Sequence, residues 1–144
     1  MPPSPMFLIV AVATTPDGRM PDAHFGDAPG FAVFRVDAGG AEFLHTVANE
    51  MRATHAHDPD HPHPHGHGDE HKGHGIGQLL GQHGAQVMVS RAFGVNIQRM
   101  RQRFLPVVVH VDTVEQAVNR LWQDWDRVIA GWNAGAERKH LVLR

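Results

Sequence analysis

A cysteine-free chain of 144 residues, 42% of them hydrophobic, has the size and make-up of one globular domain, with no disulfides, thiol catalysis or thiolate-held clusters of its own. A formal net charge of −2 gives no field that favours nucleic acid or a membrane surface, and no apolar stretch is long enough to span a bilayer. The charge is uneven: residues 1–90 carry four basic and ten acidic side chains, residues 91–144 nine and five, and a solvated helix face is the default reading of the basic half.

Met1–Thr15 lacks a basic leader, and its run Phe7–Thr14 (FLIVAVAT) predicts a central strand buried on both faces; the protein is expected to be cytoplasmic. Thr15-Pro16-Asp17-Gly18 is turn chemistry. The segment around His24-Phe25-Gly26-Asp27-Ala28-Pro29 is too rich in glycine and proline for a regular element. Phe31–Asp37 and Glu42–Ala48 read as two more strands joined by Ala38-Gly39-Gly40, an antiparallel meander.

Residues 49–72 read as a long inserted loop, in which His-Pro and His-Gly pairs exclude helix and strand. His55, His57, His61, His63, His65, His67, His71 and His74, eight of the thirteen histidines, fall in or beside it. Imidazoles at this spacing, with carboxylates between them, suit zinc, nickel or copper, and equally a low-complexity linker that binds such ions adventitiously. Gly73-His74-Gly75-Ile76-Gly77 then opens a helix whose apolar face holds Ile76, Leu79, Leu80 and a packed His83, ending at Gly84.

Further on come a strand at Gln86–Ser90, a helix at Gly94–Phe104 stopped by Pro106, and a strand at Val107–Val111 that includes His110. Thr113-Val114-Glu115-Gln116 fits a capping box, and apolar residues at helical spacing continue from Val114 to Trp132. The three tryptophans read as core, with Trp132 an alternative homodimer contact, and residues 134–144 as a C-terminal tail or short strand. The order βββ-αβαβα predicts an α/β, five-stranded mixed sheet of order 3-2-1-4-5, the ribonuclease H-like arrangement.

His24-Phe25-Gly26, Ala28-Pro29, the Phe31–Asp37 strand, the glycine-rich Gly73–Gly77, Leu79-Leu80, the Ala85–Val89 strand and Thr113–Val118, in this order, resemble the dinitrogenase iron–molybdenum cofactor biosynthesis family, of the NifX and NafY-core type also found fused to NifB. The resemblance covers about residues 6–125. It implies a non-catalytic domain that binds an iron–sulfur–metal cluster, such as the nitrogenase cofactor or its precursor, and a nitrogenase or cofactor-assembly protein as partner.

A carrier must hold an anionic cluster firmly and still release it, which suits one or two imidazoles, N–H donors and a cation. The sheet order brings the C-terminal ends of the first and fourth strands together, the usual ligand position in open α/β sheets. His24 is therefore expected as the metal ligand, flanked by Phe25 and Gly26, with amides around Gly75, Ile76 and Gly77 as anion donors and Arg91 as charge partner. His74 is the loop residue expected nearest the pocket. A histidine-rich metallochaperone or storage protein for zinc, nickel or copper is the alternative function. A two-metal nuclease is disfavoured, because Phe7–Thr14 holds no carboxylate and Asp112 stands alone on the last strand's end.

Overall fold

The computed structural model describes residues 7–49, 68–94 and 97–143, with side chains for all of these but 68–74, 99 and 136. Its strands are β1 (Leu8–Thr14), β2 (Gly30–Asp37), β3 (Gly40–Ala48), β4 (Val87–Ser90), β5 (Leu105–Val109) and β6 (Leu141–Leu143). They form one mixed sheet of order β3-β2-β1-β4-β5-β6. β1–β2 and β2–β3 pair antiparallel, whereas β1–β4, β4–β5 and β5–β6 pair parallel. The expected order of five strands is present, extended by β6 from the segment read as a tail or short strand.

The sheet is covered on both faces, and the two-residue period of a strand sorts its side chains between them. Leu8, Val10 and Val12 of β1, Val87 and Val89 of β4, and Leu105, Val107 and Val109 of β5 point to one face. There they meet Val114, Ala117, Val118 and Leu121 of helix α3 (Val114–Gln123) and Val128 of α4 (Trp125–Asn133). On the other face Ala11, Ala13, Phe31 and Met88 meet Ile76 and Leu80 of α1 (Gly68–Gln82), and Met100 of α2 (Ile97–Arg103) with Phe104 just beyond it. Ala11 and Ala13 leave room for the rings of Phe25 and Phe31 on that face.

Three boundaries differ from expectation. α1 begins at Gly68, inside the segment read as loop. Its glycines disfavour a helix by about 1 kcal/mol each relative to alanine, and burial of Ile76 and Leu80, an i, i+4 pair, opposes that cost. β5 spans 105–109 rather than 107–111. Leu105 N–H donates to Gln86 O at 2.9 Å, so the neighbouring Pro106 nitrogen faces the β6 side, where β6 pairs only from Val107 onward. The missing N–H thus removes no ladder bond.

The long C-terminal helix is broken at Asp124 into α3 and α4. The predicted capping box is present: Thr113 Oγ1 accepts from Gln116 N at 3.1 Å, and Gln116 Oε1 accepts from Thr113 N at 3.1 Å. Trp122 is not core; it is 45% exposed and donates its indole N–H to Ala38 O at 3.0 Å. Trp132 packs against the core, its ring covered by the Arg138 guanidinium at 3.9 Å.

The connection after β1 is tied to the segment that opens α3. Arg19 bridges to Thr113, Met20 N–H donates to Asp112 O at 2.9 Å, and Val114 N–H donates to Gly18 O at 3.0 Å. The Thr15 hydroxyl donates to Asp17, which holds that carboxyl below its usual range. No described helix is long and apolar enough to cross a membrane.

Candidate functional site

β1, β4 and β5 run parallel, so their C-terminal ends share one edge of the sheet. The segments that leave those ends carry polar side chains. Beyond β1, His24 forms a parallel bridge to Ala92, and Phe25 N–H donates to Ala92 O at 2.9 Å. Phe25–Asp27 is a short 3-10 turn. Phe25 is its anchor: the ring is fully buried, 4.7 Å from that of Phe31 and stacked at 5.2 Å on that of Phe93. One residue is thus buried so that its neighbour His24 stays exposed on a fixed backbone.

An open cleft of about 560 Å³ lies at this edge, lined by Asp22, Ala23, His24, Asp27, Arg91, Ala92 and His110. The volume is in the range of small-ligand sites. Arg91 and Ala92 follow directly from β4, and His110 directly from β5. Gly94 forms a wall beside His24: a Cβ there would stand 3.3 Å from Nδ1. Nε2 lies farther from that wall and is the better placed to bind a ligand. Two imidazoles and a guanidinium therefore share the cleft with two carboxylates.

His24 and Arg91, expected together from strand order, do line one cleft. His110, expected to be structural, lines it as well, because β5 ends at Val109 and releases the next residue into the loop. Strand alternation hid this; the two-residue shift of β5 is what exposes it. Phe25 and Gly26 belong to the turn that carries His24 rather than to the cleft lining.

The amide donors expected at Gly75, Ile76 and Gly77 are corrected. These residues lie well inside α1, where N–H groups bond to carbonyls one turn back and are not free for an anion. Ile76 is instead fully buried against the same core cluster as Phe25. His74 likewise falls within the helix and does not open it. For His71 and His74 the backbone alone is described, and His55, His57, His61, His63, His65 and His67 lie outside the described residues. Among the described residues no group of three or more metal-ligating side chains is assembled.

A further residue supports the turn. Asn49, at the end of β3 and buried, donates from Nδ2 to Gly26 O at 2.9 Å and Ala28 O at 2.8 Å, and its backbone N–H donates to Pro29 O at 3.0 Å. Asn49→Ala leaves these carbonyls without the amide. It is expected to cost about 1–3 kcal/mol in a urea titration, and to weaken whatever the cleft binds by loosening the turn. Asparagine before a histidine-rich stretch reads as loop chemistry, which is why this role is not visible in the sequence.

A model of the dinitrogenase iron-molybdenum cofactor family matches residues 6–124. That span takes in β1–β5 with α1–α3 and every residue lining the cleft. No curated protein matches the chain.

Proposed function

The chain belongs to the dinitrogenase iron-molybdenum cofactor family, and from this premise we propose that it binds and carries an iron–sulfur–molybdenum cluster, the nitrogenase cofactor or a precursor, without catalysing a reaction. The cluster is cargo, handed to a nitrogenase or cofactor-assembly protein. We take the sheet, by its strand order, as ribonuclease H-like. The observation that carries the proposal is the placement of His24, Arg91 and His110 around one cleft at the C-terminal edge of the parallel strands.

The chemistry fits such a cargo. A neutral imidazole offers a nitrogen lone pair to an exposed metal of the cluster, and it exchanges more readily than a set of thiolates. His24 is the principal ligand, and His110 supplies a second ring at the same opening. The Arg91 guanidinium balances negative charge on the cluster. Asp22 and Asp27 reduce that attraction, which suits a protein that must give its cargo up. The side chains converge on open solvent, so a partner can approach the bound cluster.

The reading separates from that of a histidine-rich zinc, nickel or copper store by a deletion. A chain lacking residues 55–67, a deletion that leaves α1 whole, is expected to retain cluster binding in an anaerobic titration followed by absorption and EPR. Zinc is expected not to displace the cluster from it. Loss of binding with that deletion, together with full competition by simple divalent ions, would establish metal storage in place of cluster carriage.

A further inference from the structure

A second pair of histidines lies outside the cleft lining, between β3 and the end of α1. His45 of β3 and His83, just after α1, are both exposed, and His45 Nε2 stands 3.1 Å from His83 Nδ1. We propose that this pair chelates a borderline divalent cation of the zinc class, at a site separate from the one that carries the cluster.

Two local irregularities aim the rings at each other. Val33 of β2 pairs with His45 while Phe34 pairs with Phe43, so Leu44 is an extra residue in β3. Such a bulge bends the strand and redirects the next side chain. On the other side, α1 ends in a cap closed by Gly84 at φ +77. There His83 N–H donates to Leu80 O at 3.0 Å, Gly84 N–H to Gly81 O at 3.0 Å, and Ala85 N–H to Leu80 O at 3.1 Å. The cap fixes the backbone of His83 and places its ring beside the helix C-terminus, where the peptide dipoles favour a cation.

The distances match chelation. Two nitrogens held about 2.0–2.1 Å from one ion, at an angle of about 90–110°, lie about 2.8–3.4 Å apart, with ring centres about 4.5–5.2 Å apart. The observed values are 3.1 Å between nitrogens and 5.0 Å between ring centres. A straight hydrogen bond of the same length would hold the centres about 5.4 Å apart. Binding releases no net proton from neutral rings: the ring that donates in the pair moves its proton to its other nitrogen. Imidazole nitrogen suits Zn²⁺, Ni²⁺ and Cu²⁺, and exposure of both rings leaves the remaining coordination positions to water or a further ligand.

The test is a titration of the full ¹⁵N-labelled chain with Zn²⁺ alone, read by long-range ¹H–¹⁵N correlation of the imidazole nitrogens. Spectra of His45→Ala and His83→Ala supply the assignments. The expected result is that His45 Nε2 and His83 Nδ1 shift together, and that removing either ring weakens zinc at the other at least about tenfold. The proposal is overturned if zinc saturates other histidines while these two signals stay in place. It is equally overturned if His45 responds in His83→Ala as it does in the unaltered chain.

Discussion

Phe25→Ala is expected to lower stability by about 3–5 kcal/mol, the usual cost of removing a fully buried phenylalanine, and to abolish cluster loading with it. The ring is enclosed between Phe31 and Phe93 and shares a core cluster with Ile76 and Leu80 of α1. Its deletion therefore opens a cavity at the junction of the His24 turn, the segment after β4, and the helix. For a domain of this size that loss corresponds to a fall of roughly 6–20 °C in melting temperature, out of a total stability of about 5–15 kcal/mol. Phe25→Leu keeps most of the volume and should recover much of both properties. Calorimetry checks the first effect and anaerobic cluster titration the second. A melting temperature within about 2 °C of the unaltered chain would show that this ring does not anchor the turn.

The centre of the fold was legible because one physical rule dominates it. β1 is apolar at nearly every position since helices cover both faces, and the two-residue turn Ala38-Gly39 leaves few ways to pair β2 with β3. The capping box at Thr113 was legible for the same kind of reason: a hydroxyl and an amide three residues apart answer the orphan N–H groups of a helix start. Where tertiary packing overrides local preference, the residues mislead. Gly68 falls in the segment read as loop, and Gly73, Gly75 and Gly77 read as the opening of a helix, yet α1 runs through all four. Pro106 reads as a stop, yet it sits in β5 with its nitrogen turned from the β4 ladder.

The same asymmetry governs the site. His24 and Arg91 could be brought together from strand order alone, because parallel neighbours put their C-terminal ends side by side. His110 could not, since two residues of register decide whether it lies within β5 or after it. His83 was placed on the apolar helix face by its spacing from Ile76 and Leu80. The helix ends one residue earlier, at Gln82, and its cap turns His83 outward towards His45. Periodicity identifies a face, but only the exact end of an element decides what the first loop residue can reach.

His24→Ala should leave the fold intact, because the ring is exposed and makes none of the core contacts of its neighbour. Its effect is expected on the cargo: binding of the isolated iron–molybdenum cofactor weakened at least about tenfold, the loss that follows even removal of groups that only support a metal ligand. Arg91→Gln should weaken binding less and make it less sensitive to salt, since a guanidinium beside an open cleft acts through screened charge. The most direct measurement is an anaerobic titration of the cofactor into the unaltered chain and into His24→Ala, followed by EPR. The account predicts a cofactor signal altered by nitrogen ligation in the first and absent or unaltered in the second; the same altered signal at the same affinity in both would contradict it.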